Sequence, residues 1–302
     1  MRRLSGAGTS NEPQRCETIS RSPPTATELL GLDIAGEDRF RARVNLDNLA
    51  GVTFGGQALG QALAAAGRTA PDWPASSLSG YFLRGGVIDL PIEFEVRRLH
   101  DGRRFASRFV EASQLGRPIF SMLCSFHDPD AGVSHQTVTA PDVVGPAGLA
   151  NLQQLAVSQS DLLAPEVAGI FQRPFPIEVR LIDPGSLHQS TGEHRRDFWF
   201  RMPSAQDVEL PRDHQALLAL MSDYWLPGTI AMGHQGVRTL RSVASLNHSI
   251  WFHRPARADA WLLYTTESPW ADEGRGLSRG LIFDQQKRLV ATVTQEASLR
   301  WM

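Results

Sequence analysis

The 302-residue chain reads as an α+β protein built from two tandem units. In each, one helix is followed by an antiparallel sheet that wraps it, and the two sheets join into one. Three observations carry this. Strand-like alternation comes in two blocks on either side of a stretch rich in Pro, Gly, Ser and Gln. Each block contains a helix-forming run that is apolar almost all round. Residues of the first block recur in the second at a nearly constant spacing. A helix apolar on every side must be enclosed, and a sheet curved around it does so.

Residues 1–24 carry Arg2, Arg3, Arg15 and Arg21 among Ser, Thr, Gly and Pro, without the apolar core of a secretory signal. A disordered tail is expected; Glu12 and Glu17 weigh against an organelle transit peptide. The first unit is residues 25–128. A short helix is expected over 25–32 and a strand over 39–44, where Phe40, Ala42 and Val44 alternate. Phe54-Gly55-Gly56-Gln57 then leads into a buried helix over 58–66. Its early glycines allow a chain or ligand to approach the helix start. Strands follow over 77–83, 91–99, 105–114 and 117–127, with Asp101-Gly102 and Leu115-Gly116 as hairpin turns.

Residues 129–176 lose this pattern and read as a linker with a short helical stretch near 149–155. The second unit, 177–302, repeats the plan with strands over 177–182 and 197–202, a helix, then strands over 244–252, 260–267, 275–284 and 288–301. The helix lies in 214–228, with Asp213 placed to cap its start and Pro227-Gly228 to stop it. Near its C-terminal end stands Asp223, where the helix dipole and the neighbouring Trp225 and Leu226 oppose a negative charge.

The repeat is visible by position. Phe82 and Arg84 recur 170 positions later as Phe252 and Arg254. Asp101, Arg104, Gln114 and Arg117 recur 171 positions later as Asp272, Arg275, Gln285 and Arg288. The same spacings show where the halves differ. Ser245 falls opposite Ala75 and Gln295 opposite Cys124, while alignment of Gln57 with Gln215 puts Asp223 opposite Ala65. Three polar residues of the second unit thus face apolar or weakly polar ones in the first. As a set they are candidates for activating water: an acid held by a hydroxyl and an amide can take a proton from a water between them.

Composition excludes several alternatives. Net charge is −2, Lys287 is the only lysine, and no basic run interleaves with aromatics, so no nucleic-acid partner is expected. No apolar run is long enough to span a bilayer, so no membrane partner is expected. Cys16 and Cys124 are too few for a disulfide framework or a thiolate metal site, which fits a cytoplasmic setting. The histidines show no metal-binding spacing, and His248 and His253 lie on opposite faces of one strand, where a hydrogen-bonded structural role is expected for each. Asp142, Asp161 and Glu166 have no evident partner, and Arg103-Arg104 reads as a solvated turn. Gly276-Leu277-Ser278-Arg279-Gly280 matches a nucleophile elbow in letters only, since residues 269–274 read as a loop before it and a strand continues after it.

The chain resembles the acyl-CoA thioesterase II family from about residue 25 to residue 301. The resemblance rests on Phe54-Gly55-Gly56-Gln57, Tyr81-Phe82-Leu83-Arg84, residues Gly116 to Phe120, Ser222-Asp223 before Leu226-Pro227, residues Asn247 to Pro255, and Gln295-Glu296. It implies a double hotdog fold and hydrolysis of acyl-CoA thioesters to free acid and coenzyme A without a covalent intermediate. The family's Asp, Ser or Thr, and Gln triad would be Asp223 as general base with Ser245 and Gln295 orienting the water. Gly55, Gly56 and Gln57 would bind substrate, backbone N–H groups at the start of that helix meeting the oxyanion. No metal or cofactor is implied, coenzyme A being part of the substrate, and a homodimer or homotetramer is expected. Gly85 stands where the family usually has proline, and Asn247 where many members have aspartate. A catalytically silent acyl-CoA-binding hotdog is the alternative. A hotdog hydratase is disfavoured because its D-x-N-P-x-H motif does not occur.

Overall fold

In the first unit, α1 (Ala26–Leu29), β1 (Leu32–Gly36) and β2 (Arg39–Ala42) precede helix α2 (Gly55–Gly67). Four strands follow: β3 (Ala75–Phe82), β4 (Glu93–Asp101), β5 (Phe105–Gln114) and β6 (Arg117–His127). Helices α3 (Leu152–Ser158) and α4 (Pro165–Gln172) lead into β7 (Glu178–Leu181) and β8 (Arg195–Arg201), then helices α5 (Pro211–Ser222) and α6 (Leu226–Met232). The chain closes with β9 (Leu240–Phe252), β10 (Leu262–Asp272), β11 (Arg275–Phe283) and β12 (Leu289–Trp301). This computed structural model describes residues 22–48, 51–188, 193–234 and 240–301; residues 1–21 of the expected tail, with Cys16, lie outside them.

All twelve strands form one antiparallel sheet in the order β1-β2-β4-β5-β6-β3-β9-β12-β11-β10-β8-β7. Read outward from the β3–β9 seam, the two halves run through their strands in the same sequence. At the seam Ser79 pairs with Ser249, their hydroxyls 2.8 Å apart, and these residues are related by the 170-residue spacing. The flanking pairs Ser77–Trp251 and Tyr81–Asn247 exchange under the same shift. A local twofold axis therefore passes between the two serines. Even the irregularities obey it: β3 slips register against β6 between Ala75 and Ser77, and β12 slips against β9 at the matching place, between Glu296 and Ala297.

The helix α5 is buried continuously from His214 to Ser222, as its all-round apolarity requires. Leu217 and Leu220 are wholly enclosed, each contributing about 1.5–3 kcal/mol of burial. It packs antiparallel on α2, which is possible only because α2 presents glycines at the contact. A Cβ on Gly56 would lie 2.2 Å from the Leu220 carbonyl oxygen and 2.5 Å from the Phe54 ring, and one on Gly60 2.7 Å from the Ala216 carbonyl oxygen.

Four expectations are corrected. The stretch 214–228 is not one helix: α5 ends at Ser222, Trp225 adopts a left-handed conformation (φ 64°), and Pro227 lies in the first turn of α6. Proline lacks an N–H that a first turn does not use, so there it starts a helix and does not stop one. Asp213 is not the cap either; Leu210 holds that position and Pro211 opens the helix, with Asp213 inside the first turn. Residues 269–272 belong to β10, which runs through Pro269 by an irregularity between Glu267 and Trp270. The segment 129–176 carries more structure than a linker, since α3, capped by Asn151 in a reciprocal capping box, packs with α4 against the main core.

The Gly56 contact generates a test. Gly56→Ala is expected to lose about 3 kcal/mol of stability, the upper range for overpacking a core. Gly145→Ala, where nothing lies within 4 Å, should unfold in urea with the midpoint of the parent chain.

Candidate active site

Asp223 is the C-cap of α5, and the antiparallel packing of the two helices brings it to the start of α2. A Cβ on Gly55 would come within 2.9 Å of Oδ2 of Asp223, so the glycine is what lets the α2 backbone approach the carboxylate. The acid thus lies at the negative end of its own helix and the positive end of its neighbour. The N–H of Gly56 faces it and favours its charged form.

The other two residues of the set meet it here. Nε2 of Gln295 donates to Oδ1 of Asp223 (2.7 Å) and to the hydroxyl of Ser245 (2.6 Å). β12 and β9 supply these side chains as neighbouring strands, and the register slip beside Ser245 falls inside the site. At the far end of the amide, Oε1 of Gln295 accepts from Nδ1 of His248 (2.8 Å), and Nε2 of His248 lies 2.9 Å from the Ser222 hydroxyl. Asp223, Gln295, His248 and Ser222 are all buried.

Burial, the largest influence, raises the pKa of Asp223 above the ordinary carboxylate value, against the opposing effects of His248, Gln295, Gly56 and Ser245. Burial likewise lowers that of His248, against Asp223 and Gln295. Nδ1 of His248 and Oδ1 of Asp223 are 4.0 Å apart, and desolvation of the imidazole outweighs this attraction. Asp223 is then a base of raised proton affinity with Oδ1 occupied and Oδ2 on the Gly55 side.

That side opens into a cavity of about 550 Å³. Gly55, Asp223 and Ser245 line it, with apolar walls from Phe54, Phe82 and Ile119 of the first unit and Trp225 of the second. Helix α4 and the turn after it add Ile170, Phe171 and Phe175. Phe175 packs edge-on against Phe54, and Phe171 against Trp225, so the segment expected as a linker closes one side of the cavity.

Of the three residues expected to bind substrate, Gly55 lines the cavity and Gly56 packs on Leu220 with its N–H toward Asp223. Gln57 does not line the cavity: its N–H, expected at the oxyanion, already donates to the Phe54 carbonyl (3.1 Å), and its amide turns away, accepting from the Leu46 N–H and donating to the Val44 carbonyl (2.9 Å) and Oε1 of Gln61 (3.0 Å). His248, read as a structural histidine, instead abuts the set directly. The same comparison of halves would have found it, since its counterpart is Leu78.

Other candidates resolve simply. Ser278 is buried on β11 and donates to the Leu226 carbonyl (2.7 Å), so it braces the start of α6. His253 bonds Thr292 (2.9 Å), Asp142 pairs with Lys287, and Arg104 pairs with Asp130. Asn247 donates to Glu296 across β9 and β12 (3.0 Å), outside the bonds to Asp223. Gly85 lines the cavity, where a Cβ would touch only Val52 at 3.7 Å. Among the described residues no group of three or more His, Cys, Asp or Glu is arranged to hold a metal ion, and no helix is long and apolar enough to cross a membrane.

Two family models match the chain: an acyl-CoA thioesterase N-terminal domain over residues 44–127 and an acyl-CoA thioesterase C-terminal domain over residues 150–299. Acyl-coenzyme A thioesterase 8 of Rattus norvegicus is 34% identical over 284 residues, covering 91% of this chain and 88% of that protein. Acyl-CoA thioesterase 2 of Haemophilus influenzae is 33% identical over 255 residues, covering 82% and 87%. Among solved structures, an acyl-CoA thioesterase II from Mycobacterium marinum superposes with a TM-score of 0.74 at 35% identity, covering 92% of this chain and 98% of that one. A protein with a hot dog fold from Alicyclobacillus acidocaldarius superposes at 0.72 with 20% identity over 91% and 97% of the two chains, a likeness of fold.

The raised proton affinity of Asp223 has a consequence for stability. The folded chain holds that proton more tightly than the unfolded one, so stability is lost as pH rises through the window between the two values. At pH 7, well above the unfolded carboxylate's value of about 4, Asp223→Asn is expected to melt no lower than the parent chain. Calorimetry at pH 7 and at about pH 4 should show the difference shrinking in acid.

Proposed function

The chain belongs to the acyl-CoA thioesterase II family and is an acyl-CoA thioesterase, and we propose that it hydrolyses its substrate by general-base activation of water at Asp223. The observation that supports this reading is a buried carboxylate, held at Oδ1 by Gln295, with Oδ2 turned to a largely apolar cavity.

In this mechanism the acyl chain lies among the aromatic walls and the thioester carbonyl stands beside Gly55. Water bound between Oδ2 of Asp223 and the Ser245 hydroxyl gives its proton to the carboxylate as its oxygen attacks the carbonyl carbon. Charge builds on the carbonyl oxygen, and the N–H of Gly55, which has no partner within its own helix, stabilises it together with the helix dipole. Collapse breaks the C–S bond. Coenzyme A leaves as a thiolate, since a thiol pKa of about 8.5 makes it a good leaving group, and takes up the proton held by Asp223. The products are the free acid and coenzyme A.

The reaction as proposed requires no metal or cofactor, and activity should survive exhaustive dialysis against EDTA. On the same reading the protein acts in the cytoplasm and self-associates as a dimer or tetramer, which sedimentation would measure.

Release of thiol from a series of short, medium and long acyl-CoAs tests the activity. A purified protein that binds these esters without releasing thiol would establish the silent alternative. Asp223→Asn should lower kcat by about 10³-fold or more, in the range for loss of a general base, while Ser245→Ala and Gln295→Ala cause smaller losses. A near-normal kcat in Asp223→Asn sinks the assignment. The base must be ionised, so kcat/KM should fall as pH drops through the raised pKa of Asp223, placing the acid limb above the ordinary carboxylate value of about 4.

A further inference from the structure

A glutamine amide can be turned end for end with almost no change of shape, yet only one orientation serves this site. Turned the other way, Gln295 would direct its carbonyl oxygen at the Asp223 carboxylate and offer no donor to it. Something must choose, and the strand register puts His248 directly opposite Gln295 on β9. We propose that His248 is a positioning residue for the hydrolysis: its Nδ1–H, donated to Oε1 of Gln295, fixes the amide so that Nε2 faces Asp223 and Ser245.

The inference rests on the reading of Gln295 as part of the hydrolytic set, and three features carry it. The first is the distances: 2.8 Å from the imidazole to the amide oxygen, then 2.7 Å and 2.6 Å from the amide nitrogen to the carboxylate and the hydroxyl. The second is the hydrogen bonding at the other ring nitrogen: Nε2 lies 2.9 Å from the Ser222 hydroxyl, whose single proton can go to the Ala219 carbonyl (2.8 Å) or to Nε2, and turned to Nε2 it leaves the ring proton on Nδ1, facing Gln295. Ser222 precedes Asp223 in the chain, so the circuit from Asp223 through Gln295 and His248 returns to the same helix end. Tyr264 anchors that end from β10 by donating to the Ser222 carbonyl (2.9 Å). The third is the twofold comparison. In the first unit the equivalent strand pair is Leu78 opposite Cys124, so histidine and glutamine replace their apolar counterparts together.

The test uses the full chain with a saturated acyl-CoA, measuring kcat and KM. In His248→Asn the carboxamide nitrogen occupies the place of Nδ1 and keeps the donor. In His248→Gln the amide reaches toward the Ser222 side, and His248→Leu supplies the residue that the first unit holds at this place. We expect His248→Asn to keep kcat within about fivefold, and His248→Gln and His248→Leu to lose about thirtyfold or more with KM within about twofold, the signature of an interaction made in the transition state. In a Gln295→Ala background the His248→Leu loss should all but vanish, because the two residues act as one unit.

If Gln295→Ala has normal kcat, the hydrolytic role of Gln295 fails, and this inference with it. If Gln295→Ala is impaired but His248→Asn is as poor as His248→Gln, or the double-mutant losses multiply, the inference alone is overturned. Should His248→Leu not fold, the Asn and Gln variants decide between them.

Discussion

The molecule is arranged around a carboxylate held where two antiparallel helix ends meet. Asp223 occupies a position that its own helix disfavours, at the negative end of α5 and out of water. The start of α2, belonging to the other unit, supplies the opposite field. That compensation works only at short range, because the influence of a helix terminus falls off within a turn. The close approach of the two helices, allowed by Gly55, Gly56 and Gly60, is therefore an electrostatic requirement as well as a packing one. Its charged form draws on both units, His248, Gln295 and Ser245 favouring it from the second and the Gly56 N–H from the first.

Duplication explains how such a junction arises and why only one is built. The twofold axis between Ser79 and Ser249 gives each helix end a counterpart. At the matching place the first unit has Ala65, Leu78, Ala75 and Cys124, whose thiol burial pushes up to about 12. That set carries no charge and needs no field to offset one. One unit thus contributes a helix start and part of an apolar wall, the other the groups that handle a proton. The cavity lies across the seam because its two requirements come from different halves.

Much of this was legible in the chain. Alternation located every strand of the sheet but β1, since half-buried antiparallel strands write their two faces directly into the sequence and β1, exposed after Leu32, does not. The fixed spacing exposed the repeat, and the repeat picked out Asp223, Ser245 and Gln295 without reference to geometry. What was not legible has identifiable causes. Pro227 can stop one helix or open another, and only the left-handed Trp225 before it decides which. Helices α3 and α4 are short, and a polar surrounding hides them until their apolar sides find the core. Gln57 stands at a helix start, but its N–H already serves the Phe54 carbonyl. His248 escaped because strand parity alone cannot distinguish a histidine that braces a core from one that braces a functional amide.

The break after Ser222 shows why the helix should end where it does. Had α5 continued through residue 228, Asp223 would be one more side chain on a buried helix, enclosed on all sides and unable to meet a substrate. Instead the chain turns through Tyr224 and Trp225, and residues 223–225 become part of the cavity wall. A left-handed aromatic residue costs on the order of 1–2 kcal/mol, and its surroundings over-determine it. Trp225 stacks on Tyr224 (centroids 5.3 Å apart), meets Phe171 and Phe198 edge-on, and lies under the guanidinium of Arg196 at 4.5 Å. Phe171 comes from the segment between the units, so that segment helps hold the turn that opens Asp223 to the cavity. Backbone strain, aromatic packing and the exposure of a single carboxylate oxygen are then consequences of one local decision in the chain.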